Sequence, residues 1–196
     1  MLRVIGFSGL ARSGKTESAK ICKEIFESVG WKVDMRSFAD PLRFGLQVMG
    51  VTKDEHYELY RTLAQWIGTD VLRKSDENWW VNLMENSLND LKLASNAENN
   101  ENHVVIIDDI RFENEVELVK RKFGRHFFVY AGDRINTNLP VYNHASEYLG
   151  MKYLKSYQTG IYCERDFIGV DNSRSVVDLR AHLENYIEDW YLTSVL

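Results

Sequence analysis

The feature that most constrains this chain is Gly9-Leu-Ala-Arg-Ser-Gly14-Lys15-Thr16, which satisfies GxxxxGK[ST] in full and directly follows an apolar run. Residues 3–8, Arg-Val-Ile-Gly-Phe-Ser, predict a short buried strand. Lys15 to about Val29 predicts an amphipathic helix with Ala19, Cys22, Ile25 and Phe26 on its inner face. Strand, glycine loop and helix in that order are half of a βαβ unit, the setting in which this motif is a phosphate-binding P-loop. The glycines let backbone N–H groups turn inward around a polyphosphate, and the helix N-terminus adds its partial positive charge. In this reading Gly9, Arg12, Ser13 and Gly14 line the loop, Lys15 reaches the β- and γ-phosphates, and Thr16 offers a hydroxyl to Mg²⁺.

The rest of the chain reads as further strand–helix alternation. Gly30 stops the first helix, residues 31–38 alternate in part as a strand, and a helix follows with Asp40 as N-cap and Pro41 at its first position. Residues 53–93 are mostly helical, broken at Gly68 or at Ser75-Asp76. One apolar stripe holds Leu59, Leu63, Trp66, Ile67, Val71 and Leu72, and another holds Trp80, Leu83, Met84, Leu88 and Leu91. Residues 95–103 are polar enough for an exposed loop. Val104-Val-Ile-Ile107 is an apolar, β-branched run ending in Asp108-Asp109, the pattern of a central parallel strand. A helix over 113–122, a strand over 127–130, a strand over 167–170 and a helix over 175–192 complete the series. The stretch 131–165 lacks clear periodicity and predicts an irregular, lid-like insertion.

Composition narrows the classes. With 24 Lys+Arg against 29 Asp+Glu the net charge is −5, which disfavours general nucleic-acid binding. The longest aliphatic run, residues 104–107, falls far short of the roughly 20 apolar residues of a membrane span. The 2 cysteines, Cys22 and Cys163, form neither a CxxC pair nor a zinc pattern, and a reducing cytoplasm fits them. One α/β domain is expected, a parallel sheet flanked by helices. Its core spans about 1–38, 104–130 and 166–196, its helical acceptor-binding region about 40–95, and its lid about 131–165.

A P-loop site needs a carboxylate near the metal at the end of a neighbouring strand, and Asp108-Asp109 stands at such a place. Strand alternation sends the two side chains to opposite faces, so they should not share a role. No NKxD or DxxG segment of a GTPase is present, and a chain this short with a lid fits the small nucleotide and metabolite kinases. Such kinases need arginines that pair bidentately with the acceptor phosphate, for which Arg43, Arg61, Arg73 and Arg111 are candidates. Helical spacing groups Arg61, Gln65 and Trp66, with Thr69 and Arg73 further along. His144, Ser146 and Glu147 crowd into four positions with no GxSxG elbow, which sets aside a hydrolase triad.

Several of these segments together resemble bacteriophage-type deoxynucleoside monophosphate kinases. They are Ser37-Phe-Ala-Asp-Pro-Leu-Arg43, Arg61-Thr-Leu-Ala-Gln-Trp-Ile-Gly-Thr-Asp-Val-Leu-Arg73 with Trp79-Trp80, Asp109-Ile-Arg-Phe-Glu-Asn-Glu115 and His144-Ala-Ser-Glu147. The resemblance implies a P-loop kinase fold and transfer of the ATP γ-phosphoryl group to a deoxynucleoside monophosphate (dNMP) with Mg²⁺. It implies that Asp109 joins Thr16 in placing the metal and that Arg111 and Arg61 clamp the acceptor phosphate. A basic lid residue, Arg134 or Arg165, then neutralises charge during transfer. Phe38 and Trp66 would flank the acceptor base, with Arg43, Gln65, Thr69, Arg73 and Glu147 on the substrate side and Asn172 near the donor adenine. The partners so implied are small molecules, with neither nucleic acid nor membrane; a homodimer is compatible, and the location is the cytoplasm, of the host if the chain is phage-encoded. The alternatives are a P-loop kinase for another phosphorylated molecule such as phosphomevalonate, or a regulatory ATPase.

Overall fold

The computed structural model describes residues 2–97, 102–137, 142, 144–161 and 167–192. Five strands, β1 (Leu2–Ser8), β2 (Lys32–Arg36), β3 (His103–Ile110), β4 (Arg125–Tyr130) and β5 (Ile168–Asp171), make one sheet in the order β2-β3-β1-β4-β5. Every neighbouring pair is parallel, so each connection must cross over the sheet, and helices do this. They are α1 (Lys15–Ser28) after β1, then α2 (Asp40–Val48), α3 (Tyr57–Gln65) and α4 (Trp79–Ala97) after β2. Helix α5 (Glu113–Arg121) follows β3, α6 (Tyr148–Thr159) follows β4, and α7 (Val176–Leu192) follows β5. This is the α/β architecture the sequence predicts, a parallel sheet flanked by helices with the P-loop between β1 and α1.

The sheet is buried on both faces, and side-chain alternation divides its residues between two cores. Val105 and Ile107 pack with Val4, Phe128, Trp80, Met84 and Leu88 on the face carrying α4, α5 and α6. Val104 and Ile106 pack with Ile5, Phe7, Phe127, Phe26 and Leu183 on the face carrying α1 and α7. The Phe7 and Phe127 rings stack with centroids 5.3 Å apart. A run of four aliphatic residues is therefore what a strand needs when it has no solvent side.

Alternation fails where it matters for the site. β1 and β3 pair Gly6 with Ile107 but Ser8 with Ile110, so β3 carries an extra residue at its C-terminal end. Such a bulge turns side chains out of strict alternation. As a result Asp108 and Asp109 both reach the turn after β2, rather than pointing to opposite faces: Asp108 Oδ1 accepts from Ser37 Oγ at 2.6 Å, and Asp109 accepts from the Phe38 and Ala39 amides.

Other local differences also have physical causes. Asp40 is the first residue of α2, not its N-cap: Ala39 stands at the cap, and Asp40 Oδ2 instead accepts from the Ser37 amide at 2.7 Å. Gly68 does not break the long helical stretch. It is buried within a π-helical continuation of α3, Trp66–Arg73, where its carbonyl accepts from Trp80 Nε1 at 2.9 Å. The break comes at residues 76–78. The stripe expected from Leu59 to Leu72 is covered only in part: α3 has no buried residue and Leu59, Trp66 and Val71 are exposed, while Leu72 packs against the core. Ser95, assigned to a loop, is a buried residue of α4. The stretch 131–165 contains α6, whose Leu149 and Tyr153 are core residues. Its inward face is largely aromatic: Tyr153 packs on Phe128 and Phe167, and Tyr157 on Tyr130. No helix among the described residues is long and apolar enough to cross a membrane.

If β3 is the shared centre of both cores, Ile106→Ala should cost about 2–5 kcal/mol, and Phe44→Ala on exposed α2 should stay within about 0.5 kcal/mol. Urea unfolding of the two variants measures this. Similar losses in both would contradict the assignment of the core.

Candidate active site

The P-loop leaves β1 at its carboxyl end and feeds α1. Gly14 lies at φ 96°, a left-handed conformation that suits glycine. A Cβ there would also stand 2.2 Å from Asn172 Nδ2. Arg12 holds φ 66°, rare for a residue with a side chain. The loop is braced by Ser13 N donating to Leu10 O at 3.1 Å and by Asn172 Nδ2 donating to Ser13 O at 2.9 Å. Asn172 is buried, and its own amide donates to Tyr130 O, so its side chain supports the loop. Ser13 Oγ is buried without a hydrogen-bond partner among the described residues. A buried hydroxyl without a partner inside a glycine loop is one that an anion's oxygen would satisfy.

Lys15 lies across the loop, its Nζ donating to the carbonyls of Gly9 and Leu10, both at 2.8 Å. Burial and the nearby Arg111 bring its pKa down to about 8, while Glu147, Asp109 and Asp108 pull the other way. Groups from the P-loop, the end of β3 and the segment before α6 thus act on one ammonium. Asp109 is pushed up by burial against the opposing pull of the Phe38 and Ala39 amides. Arg43 Nη1 donates to Ser37 Oγ and to Asp40 Oδ1, each at 3.1 Å, and its Nη2 lies 3.9 Å from Asp109.

Arg111 emerges just past β3. Its Nη1 donates to Glu147 Oε1 at 2.9 Å and to Ser146 Oγ at 3.2 Å. The other Glu147 oxygen accepts from the Ala11 amide of the P-loop at 2.8 Å. Tyr142 Oη donates to the Ala11 carbonyl at 3.2 Å, so Glu147 and Tyr142 hold Ala11 by its amide and by its carbonyl. His144 Nδ1 is 2.9 Å from Ser146 Oγ, but Glu147 faces Ala11 and Arg111, and no serine–histidine–acid relay forms.

A second network supports the backbone of Arg111. Glu115 Oε2 accepts from the amides of Arg111 at 2.7 Å and Phe112 at 3.1 Å, a capping arrangement at the start of α5. Its Oε1 pairs with Arg73 Nη2 at 2.5 Å. The Arg73 guanidinium lies 3.7 Å over the Phe112 ring and also donates to Glu77 O and Asn114 Oδ1. Burial pushes the Glu115 carboxyl up to about 7 against the pull of Arg73 and the two amides.

The sequence-derived candidates fall into three groups. Lys15, Asp109, Arg111, Arg43 and Glu147 are linked to one another by the contacts and charges above, with Asp108 and Ser37 among them. Arg73, Phe38 and Asn172 serve the scaffold: Arg73 is turned into the Glu115 network, the Phe38 ring is buried in the core, and Asn172 braces the loop. Among the described residues no hydrogen bond or ion pair joins Arg61, Gln65, Trp66 or Thr69 to the cluster, and Thr16 is exposed on the first turn of α1. Arg134 donates to the carbonyls of Asn172 and Ala131. Arg165 lies outside the described residues. Sequence reasoning missed Glu115 as a cap, although its position three residues past Phe112 is capping-box spacing. It also missed Tyr142, which carries no local signal.

This is a P-loop α/β protein with a second cationic group, Arg111, facing the loop. No family model matches the chain. A protein of Acanthamoeba polyphaga mimivirus with the name "Putative deoxynucleotide monophosphate kinase" is 29% identical over 140 residues, 62% of this chain and 70% of that protein. Solved structures similar to it include a dephospho-CoA kinase from Campylobacter jejuni, at TM-score 0.47 and 14% identity over 96% of this chain and 97% of that one. A gluconokinase from Sinorhizobium meliloti 1021 gives TM-score 0.44 and 14% identity over 98% and 97%.

The Glu115 carboxyl, raised above its ordinary value, binds its proton at higher pH in the folded protein than in the unfolded one. The stabilisation this gives is full below about pH 4.5 and is lost as pH rises through about 7. The stability of wild type relative to Glu115→Gln should therefore fall across that window in urea titrations. A difference that stays flat or grows with pH would contradict it.

Proposed function

We propose that the chain is a deoxynucleoside monophosphate kinase, transferring the γ-phosphoryl group of ATP to a dNMP to give dNDP and ADP. The observation that carries the reading is the meeting of Lys15 and Arg111 at the P-loop. One cation belongs to a polyphosphate loop and the other projects from the neighbouring strand end, as two phosphates about to react require. The name of the mimivirus relative agrees with it.

In this mechanism the loop amides, the Ser13 hydroxyl and Lys15 hold the donor's β- and γ-phosphates. Arg111, with Arg43 and Arg61 toward the acceptor side, receives the dNMP phosphate. An oxygen of that phosphate attacks the γ-phosphorus in line, the bond to the β-phosphate oxygen breaks, and ADP leaves. No general base is needed, because the acceptor's second pKa is near 6 and its oxygens are already anionic at neutral pH. Arg134, bonded to the turn at Asn172, belongs to the donor side.

The donor set fits Mg²⁺, which takes one or two carboxylates together with substrate phosphates and waters rather than an all-protein cage. No group of three or more His, Cys, Asp or Glu side chains suited to a metal occurs among the described residues. Thr16 and one carboxylate of the Asp108–Asp109 pair would hold the ion. Both Asp109 oxygens already accept backbone amides, and Asp108 uses only Oδ1 for Ser37, so Asp108 is the freer ligand and Asp109 acts through the β2–α2 turn. Bound there, Mg²⁺ would offset charge on the β- and γ-phosphates.

Product analysis across dNMPs, NMPs and phosphomevalonate with ATP tests the reading. Formation of dNDP is expected. A different phosphorylated product would replace the acceptor, and ATP hydrolysis without dNMP binding would favour the regulatory ATPase. Lys15→Ala should abolish transfer in a folded protein. Arg111→Lys, which keeps the charge but loses the fork, should lower kcat/KM for dNMP at least about tenfold. Near-normal turnover in either variant would contradict the assignment of roles.

A further inference from the structure

We infer that Glu147 is a positioning residue for Arg111, presenting one edge of the guanidinium to the acceptor phosphate and fixing it relative to the P-loop. Its two oxygens divide between the two halves of the site, Oε2 on the Ala11 amide at 2.8 Å and Oε1 on Arg111 Nη1 at 2.9 Å. The carboxylate side chain is 5% exposed while that of Arg111 is 42% exposed. The glutamate is thus built into the scaffold, and the arginine stands at the surface of the site. Ser146 Oγ takes the same Nη1, itself held by His144 Nδ1. Among the described residues no partner engages Nε or Nη2 of Arg111. That free edge is the one a phosphate engages bidentately.

The segment that carries Glu147 is anchored to the donor loop. Tyr142 Oη bonds the Ala11 carbonyl. Gly150, in the first turn of α6, comes so near that a Cβ would stand 2.9 Å from Leu10 Cδ2 and 3.2 Å from the Leu10 nitrogen. Tyr142 and residues 144–150 therefore make a strap seated on residues 10–11. Through Glu147 it sets the position of the acceptor's arginine from the donor's loop. A carboxylate beside two phosphates would by charge alone oppose them, so its place here is explained by what it holds. One negative charge oriented by Ala11 fixes a flexible cation that otherwise samples many rotamers.

The inference rests on the kinase reading for its catalytic consequence but not for its geometry, and the experiment separates the two. Order parameters of the Arg111 Nε–H group from ¹⁵N relaxation should be high in the wild type and drop in Glu147→Gln. They should drop also in Glu147→Asp, which keeps the charge but is one methylene too short to span both partners. In steady state, Glu147→Gln should raise KM for dNMP at least about tenfold with a smaller change in kcat, and by more than it weakens inorganic triphosphate titrated without metal or acceptor, whose loop loses only the Ala11 contact. In an Arg111→Ala background the same substitution should change KM for dNMP by less than about twofold, since the residue acts through the arginine. An Arg111 side chain equally ordered in both variants would overturn the inference. So would triphosphate affinity falling in step with dNMP affinity, or a full effect persisting without Arg111. A wild-type protein that phosphorylates no dNMP would end the kinase reading, and the order parameters alone would then decide whether Glu147 fixes Arg111.

Discussion

Burial of β1 and β3 on both faces is the constraint from which the rest follows. Residues 104–107 and 4–7 have no solvent side, so charge is excluded along the middle of these strands and emerges where they end. Both run in the same direction, and their carboxyl ends open side by side into the P-loop and into Asp108, Asp109 and Arg111. A parallel sheet thereby gathers at one edge groups that are about a hundred residues apart in the chain. The bulge at the end of β3 then turns both aspartates toward the β2–α2 turn.

The same economy governs the charges. Lys15, Arg111 and Arg43 face Asp108, Asp109 and Glu147 across a partly buried space, and each carboxylate also accepts a backbone amide or a hydroxyl. Carboxylates so satisfied can be buried beside cations at acceptable cost. The depressed pKa of Lys15 comes first from desolvation and then from Arg111, against the opposing pull of Glu147, Asp109 and Asp108. A polyphosphate bound in the loop would favour the charged ammonium further.

Much of the fold was legible because its signals are local and regular. The P-loop spacing, the aliphatic run of β3 and the helix-period stripe of α4 each name an element directly. What escaped depends on tertiary context. Helix α6 was hidden because its inward residues include Tyr153 and Tyr157, which carry a polar atom yet pack as core aromatics. Arg73 read as a substrate ligand because exposure cannot be seen in a sequence; in the structure it is stacked on Phe112 and paired with Glu115. The bulge that redirects Asp108 and Asp109 arises from the pairing of two strands, so the run itself gives no sign of it. The sequence singles out Glu147 as a candidate but not as a bridge, since its partners lie 136 and 36 positions away.

The central claim is that donor and acceptor phosphates meet between Lys15 and Arg111. The most direct test is a crystal structure with a bisubstrate analogue in which adenosine and a deoxynucleoside are joined by five phosphates. The account predicts the adenosine-side phosphates inside residues 9–16 and the phosphate nearest the deoxynucleoside on the Nε–Nη2 edge of Arg111, with Glu147 still holding Nη1. An analogue whose deoxynucleoside phosphate lies away from Arg111, or whose polyphosphate does not enter the loop, would contradict it.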